Sequence, residues 1–327
     1  MAHSKEGKMK EESTVFLCGY PKSGTTLLLS LLDNHLQLNT FPEELKTFSG
    51  VLKEKGLKNK INNILTKTGA YVPKVGIANY PSGVRDYSSV NGEEYIESLE
   101  KLLLKSTTDK ELFTNIFKNW LLFSSNKKNF KTIKYNVEKT PHNELYSDIA
   151  LRWFNNSKFI YIIRDPRDNY LSYKKKQTSL TLMNYIYAWK KSIQSLSKIP
   201  RDKLLIIKYE NLVSDLDKYL KEICEFLSIE YNETLTQPTR NGVLWEGNSM
   251  FNNNSKSVHS QATGRYKNKL TINEIECIEQ YLYDELSQFD YQIDYVKQKK
   301  QYPLIRASYH NIRNFISSNK NRLSEIK

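Results

Sequence analysis

The sequence predicts an α/β fold, a central parallel sheet with helices on both faces, and three observations predict it. Three short apolar runs, at 15–18, 159–163 and 204–207, have the length and the β-branched and aromatic content of buried strands. Each gives way to a helical pattern: TTLLLSLLDNH after the first, DNYLSYKKK after the second, and a stretch from KYENLVSD to Leu227 after the third. Strands that alternate with helices are joined by crossovers rather than hairpins, which makes neighbouring strands parallel and lays helices over the sheet.

The 327 residues, 39% of them hydrophobic, suffice for one large core, or for one core with a small appendage. The expected organisation is a flexible leader over 1–13, one domain over 14–292 with a helical insertion, and a basic C-terminal extension over 293–327. In that extension Ile305, Tyr309, Ile312 and Ile316 recur at the spacing of an amphipathic helix. It is expected either to pack on the domain or to make a weak contact with a protein or an anionic membrane surface.

Forty-nine basic against 36 acidic residues give a net charge of +13, which favours an anionic ligand or partner. Part of it is background, since Lys, Asn, Ile and Tyr are abundant along the whole chain, as in the run NNNSK at 252–256. Cys18, Cys224 and Cys277 form no CxxC pair, so neither a disulfide framework nor a zinc site is expected, and a reducing compartment fits. No stretch approaches the roughly 18 apolar residues of a membrane span, and the amino terminus has no apolar signal core, so a cytoplasmic location is expected.

The elements follow in order. The first strand ends at Gly19, and GYPKSGTT leads into the first helix. Glycines there admit close backbone approach, while the amides of the new helix and the hydroxyls of Ser23, Thr25 and Thr26 offer donors to an anion. This is a P-loop-like phosphate cradle with one departure from the nucleoside-triphosphatase form GxxxxGK[ST]: Thr25 stands in the place of that lysine, and Lys22 comes three residues earlier. Taken alone, the segment also reads as an ordinary glycine turn. From about 45 to 135 the pattern is mainly helical, with EEYIESLEKLLLKS the clearest amphipathic stretch, and this insertion is expected to cover the sheet edge. The second strand ends in Arg164-Asp165-Pro166-Arg167, where Pro166 suits the first position of a helix, and Arg167 and Lys174 read as a solvated basic face. Ligands of open α/β sheets sit at the carboxyl ends of the strands, so the residues just after each apolar run are the candidates for a site.

YPKSGTTLL resembles the 5′-phosphosulfate loop of the sulfotransferases that use 3′-phosphoadenosine 5′-phosphosulfate (PAPS), and FIYIIRDPRDNYLSYKK resembles their 3′-phosphate segment, with Arg164 and Ser172 eight apart as in that family. EKTPH at 138–142, KYENL and GRYKNKLT resemble further family segments, so the likeness spans roughly 14–292 and is nearer to the carbohydrate and protein-tyrosine branches. The resemblance implies sulfuryl transfer to a hydroxyl. It places Lys22, Ser23, Gly24, Thr25 and Thr26 at the 5′-phosphosulfate, Arg164 and Ser172 at the 3′-phosphate, and Tyr209 at the adenine. The small-molecule branch carries an Arg-Lys-Gly triplet where this chain has His259-Ser260-Gln261, which leaves Arg265 or Lys267 to meet part of the 3′-phosphate.

For the chemistry, Lys139 matches the family's catalytic lysine, with Lys22 sharing the charge at the 5′-phosphate. The resemblance also implies that Glu43 is the base that takes the acceptor's proton, since it falls at the matching distance after the helix of the phosphosulfate loop in the tyrosine-sulfating branch. Glu44, His35, Glu138 and His142 are the alternatives. Sulfuryl transfer, like phosphoryl transfer, needs positioning and charge stabilisation, and its smaller charge does not demand a metal, so PAPS is the one cofactor expected. The acceptor, a glycan, a tyrosine or a small molecule, is expected to carry the hydroxyl and, given the charge balance, to be anionic; nucleic acid is not expected. Two other functions share the fold: a kinase-like phosphotransferase, which would need magnesium and ATP, and a non-catalytic anion- or glycan-binding protein, which would associate in a salt-sensitive way without consuming donor.

Overall fold

The computed structural model describes residues 13–80, 83–126, 128–175, 181–245 and 263–298. Most of the expected leader and C-terminal extension, the Asn-rich run at 252–256 and the triplet His259-Ser260-Gln261 lie outside the described residues.

Five strands make one parallel sheet in the order β2-β5-β1-β6-β7. They are β1 (Ser13–Cys18), β2 (Leu38–Thr40), β5 (Tyr135–Lys139), β6 (Lys158–Ile163) and β7 (Leu204–Lys208). β1, β6 and β7 lie on the three apolar runs. The intervening helices are α1 (Thr25–Leu32), α2 (Leu57–Lys67), α3 (Gly92–Leu104), α4 (Asp109–Phe123), α5 (Ser147–Trp153), α6 (Pro166–Lys174) and α7 (Leu182–Ser195). After β7 come α8 (Tyr209–Ser214) and α9 (Leu216–Leu227), then α10 (Ile272–Tyr281) and α11 (Tyr283–Gln288). Two antiparallel hairpins complete the described chain, β3 (Ile77–Tyr80) with β4 (Gly83–Asp86), and β8 (Thr239–Arg240) with β9 (Val243–Leu244).

The two-residue period of β1 explains how both of its faces are covered. Val15 and Leu17 join a buried cluster with Leu27, Leu28 and Leu31 of α1, and with Leu220, Ile223 and Leu227 of α9. Phe16 points to the other face, where its ring stacks on Phe159 at 5.3 Å and meets Phe48 at 5.7 Å and Phe113 of α4 at 6.1 Å. The insertion covers the sheet edge and part of a face: Trp120 of α4 donates to the Thr40 carbonyl of the edge strand β2 at 2.8 Å and Lys128 to its Leu38 carbonyl at 2.7 Å, while Phe113 and Phe117 of α4 bury against Phe16 and Phe41. It also contains the β3–β4 hairpin, which no alternation in the sequence announced.

The described residues form two compact units: those up to Arg164 together with those from Gln194 to Arg265, and those from Asp165 to Ile193 together with those from Tyr266 on. The first holds the whole parallel sheet. Among the described residues no helix is long and apolar enough to cross a membrane.

Candidate active site

The first unit gathers its candidate residues at the carboxyl ends of β1 and β5. β1 stops at Gly19, whose φ of +148° and whose approach to Ile162 O leave no room for a side chain: a Cβ there would lie 2.6 Å from that oxygen. The loop turns through Lys22, also at positive φ (73°), to Gly24 at φ 106°. A Cβ on Gly24 would meet the ring of Tyr209 at 2.5 Å, so α1 begins where only glycine fits. The first helical bond in α1 runs from the Leu28 N–H to the Gly24 carbonyl (3.0 Å). The Thr25, Thr26 and Leu27 N–H groups precede it and have no helical acceptor, the condition that makes a helix start favour an anion.

Arg164, at the carboxyl end of β6, is buried. Its Nη1 donates to the Lys22 carbonyl at 3.0 Å, and its guanidinium lies 4.7 Å from the centroid of the Tyr209 ring. Arg164 and Tyr209 thus brace the cradle from below, and the Tyr209 ring is packed against Gly24 and almost wholly buried.

Lys139 ends β5, and β-strand alternation turns it away from its neighbour Glu138. Its Nζ lies 3.0 Å from Glu44 Oε1 and 3.4 Å from Thr26 Oγ1, which joins the lysine to the start of α1. The Lys139 side chain is 5% exposed and that of Glu44 37%, so the pair presents its carboxylate to solvent and its ammonium to the cradle. Burial works to raise the Glu44 pKa, but the charge and hydrogen bond of Lys139, with Lys46 and Lys22 nearby, carry it below the ordinary glutamate range.

Glu43, the expected base, faces elsewhere. Its Oε1 accepts from the Tyr87 hydroxyl at 2.7 Å and from Arg240 Nη1 at 3.0 Å, and it forms an ion pair with Arg85 Nε at 2.9 Å. Burial, with the Glu43 charge beside it, pushes Tyr87 well above the ordinary tyrosine range and keeps its proton available to that carboxylate. Arg85, Tyr87 and Arg240 are functional candidates that the sequence reading missed. They lie on or beside the two short hairpins, where neither periodicity nor a motif marked them.

The remaining candidate bases are engaged in structure. His35 is bonded on both ring nitrogens, to the Glu230 carbonyl at 2.7 Å and the Gln37 N–H at 3.1 Å, and burial lowers its pKa. His142 sits edge-on to Tyr20 with ring centroids 5.1 Å apart and pairs with the buried Glu144 at 3.5 Å. Glu138 is buried and accepts hydrogen bonds from Thr140 and Asn143.

Burial raises the Glu138 pKa to about 7 despite the Thr140 bond and the charge of Lys139. Between its unfolded value near 4.5 and about 7 the folded chain holds a proton that the unfolded chain releases. Stability therefore falls as pH rises through that window, by about 3 kcal/mol in all. Glu138→Gln is expected to remove this slope. Denaturant midpoints at pH 5 and pH 8 check it: the unmodified chain loses stability between them, and the variant keeps it.

In the second unit Pro166 occupies the first turn of α6 as expected, with Asp165 as the cap accepting the Arg167 N–H at 2.8 Å. Arg167 is not a solvated residue. It is buried, with ion pairs to Asp165 at 2.7 Å, Glu279 at 2.6 Å and Asp294 at 3.4 Å, and it lies 4.2 Å over the Tyr266 ring. Three carboxylates that come together only in the fold offset its desolvation. Tyr266 donates its N–H to Asp168 at 2.9 Å and its hydroxyl to Asp294 at 2.6 Å, so this network ties the start of α6 to the turn Arg265–Asn268. Ser172 is half-buried in α6, Lys174 is exposed and paired with Glu274, Arg265 is half-buried at the start of its turn, and Lys267 is exposed 3.5 Å from Asp294. Among the described residues no group of three or more His, Cys, Asp or Glu side chains could hold a metal ion.

Residues 14–233 match the model of a family described as the sulfotransferase family. The protein-tyrosine sulfotransferase 2 of Gallus gallus is 22% identical over 236 residues, which cover 69% of this chain and 54% of the relative, so the chain spans about half the length of the curated relative it matches. Among solved structures, the sulfotransferase domain from the curacin biosynthetic pathway superimposes with a TM-score of 0.58 at 19% identity, over 86% of this chain and 99% of that one. The sulfotransferase domain of the Synechococcus PCC 7002 olefin synthase gives 0.55 at 17% identity, over 89% and 100%. At these identities the two structures show the shared fold.

Proposed function

Because this chain belongs to the sulfotransferase family, we propose that it moves a sulfuryl group from PAPS to an acceptor hydroxyl by in-line displacement. The observation that carries this is the convergence of the Lys139–Glu44 pair with Thr26 at the start of α1. A cation within hydrogen-bond reach of a partly exposed carboxylate and of a hydroxyl on the first turn of α1, where the helix-start amides lie, is what the transfer requires.

PAPS supplies a sulfuryl group on a good leaving oxygen. The N–H groups at the start of α1 and the hydroxyls of Ser23, Thr25 and Thr26, with Lys22, hold the 5′-phosphosulfate, and the tightness around Gly24 fits an anion bound by backbone. The family likeness assigns the 3′-phosphate to Arg164 and Ser172, with Arg265 or Lys267 meeting part of its charge, and Tyr209 acts by supporting the loop. Glu44 rather than Glu43 takes the proton of the acceptor hydroxyl, since two guanidinium groups and a phenol already occupy Glu43 Oε1. The acceptor oxygen forms its bond to sulfur as the bond from sulfur to the phosphate oxygen breaks. The leaving electron pair stays on 3′-phosphoadenosine 5′-phosphate, where Lys139 and Lys22 offset its charge.

Thermal stabilisation by 3′-phosphoadenosine 5′-phosphate, compared with magnesium-ATP at the same concentration, tests this. Ligand linkage predicts a gain of about 2.7 kcal/mol at a hundredfold excess over Kd, seen as a rise in Tm with the bisphosphate and a smaller one with ATP. A shift with magnesium-ATP alone would overturn the donor assignment in favour of phosphoryl transfer.

A further inference from the structure

The cluster around Glu43 is the strongest feature outside the reacting groups. Glu43 and Glu44 are adjacent, so their Cα atoms are about 3.8 Å apart, yet their side chains diverge: one to Lys139, the other to Arg85, Tyr87 and Arg240. Resting on the sulfuryl-transfer reading above, we infer that Arg240 and Arg85 are positioning residues that hold Glu44 against Lys139 by clamping Glu43.

The backbone carrying the two glutamates is fixed from several directions. The Glu44 carbonyl accepts the Gly69 N–H at 2.8 Å, and the Lys46 N–H donates to Thr140 Oγ1 at 3.1 Å. These contacts hold the segment after Glu44, and the Glu43 clamp holds the residue before it. Without the clamp, the segment keeps its downstream anchors while rotation about the 43–44 backbone becomes available, which is enough to carry the Glu44 carboxylate off a 3.0 Å contact.

The clamp is itself anchored on α1. Asp33, at the end of that helix, accepts from Thr239 Oγ1 at 2.9 Å and from the Gly242 N–H at 2.9 Å, fixing the β8–β9 hairpin that carries Arg240. Asn241 adds a second attachment, accepting the Ser125 N–H at 2.8 Å. Arg240 also lies 5.7 Å over the ring of Trp245, and both guanidinium groups are buried, so neither swings freely in solvent. One helix thus presents the anion cradle at its first turn and, through the hairpin on its last, sets the carboxylate that works beside the cradle.

The test reads the Lys139–Glu44 pair directly in the full chain, with no acceptor and no turnover. Lys139 is labelled with limiting acetic anhydride and quantified by peptide mass spectrometry, and 3′-phosphoadenosine 5′-phosphate affinity is measured on the same samples. Glu44→Gln is expected to raise Lys139 labelling about fivefold by removing the carboxylate charge that pairs with it, and Arg240→Gln is expected to reproduce most of that rise with bisphosphate affinity within about threefold of the unmodified chain. Arg240→Lys, which keeps the charge, is expected to return labelling most of the way, and Tyr87→Phe, which keeps both arginines, to give a smaller rise. Unchanged Lys139 labelling in both Arg240→Gln and Arg85→Gln, with bisphosphate binding retained, would overturn the positioning role. Failure of the unmodified chain to bind the bisphosphate would instead remove the sulfuryl-transfer reading, and this role with it.

Discussion

Glu44→Gln is expected to lower turnover by about 10² to 10⁴, the range over which a positioned general base contributes. Bisphosphate affinity should stay close to that of the unmodified chain. The substitution keeps the shape of the side chain and removes its charge and its capacity to take a proton. It is checked by release of 3′-phosphoadenosine 5′-phosphate from PAPS, with any acceptor that the unmodified chain turns over. A variant that keeps more than about a tenth of the turnover would take the base role from Glu44.

The pH profile adds a second readout. Without donor, Lys139 holds Glu44 below the ordinary glutamate range, so the carboxylate is ionised across the neutral range. A base must be ionised to act, so kcat/KM for the donor, which reports the free enzyme, is expected to keep its plateau down to an acid limb below the ordinary glutamate value of 4.5. On the proposed mechanism Lys139 turns to the transferring group in the ternary complex, which takes from Glu44 part of the charge that holds its pKa down. The acid limb of kcat is therefore expected at higher pH than that of kcat/KM. Coincident limbs would mean that Lys139 does not leave Glu44 when donor binds.

Lys139→Met is expected to cost about 10² to 10³ in kcat, comparable to removing one preorganised donor from a site where charge develops. Methionine fills the volume of the buried lysine stem, so folding is preserved while the cation is lost. The loss should fall on kcat more than on donor affinity, because in the proposed mechanism the N–H groups at the start of α1 bind the ground state without it. Steady-state rates at saturating donor, set beside the bisphosphate Kd, separate the two. Equal losses in both would make Lys139 a binding residue with no special role in the transition state.

These two side chains show where the sequence sufficed and where it did not. The parallel sheet was legible because its strands are short, apolar and followed at once by helical periodicity, and those signals act within a few residues. The cradle was legible for the same reason: Gly19, Gly24 and the start of α1 are consecutive, and their backbone geometry is a local property. Lys139 was singled out by the likeness of EKTP to a family motif, and it stands at the end of β5 opposite Leu17 of β1.

The direction of each glutamate was not legible. Glu43 and Glu44 are one residue apart and chemically identical, so no local signal separates them. What separates them is Lys139, 95 residues from Glu44, and on the other side Tyr87 and Arg240, 44 and 197 residues from Glu43. Arg167 makes the same point: a basic residue near a helix start reads as solvated until the fold brings Glu279 and Asp294 to it. The sequence by itself determined the sheet, the cradle and the chemical types at the site, because periodicity and backbone preference are local. The tertiary structure alone decided which carboxylate is held by arginines and which is left to the lysine, because a charge buried in the fold takes the orientation of partners that only the fold supplies.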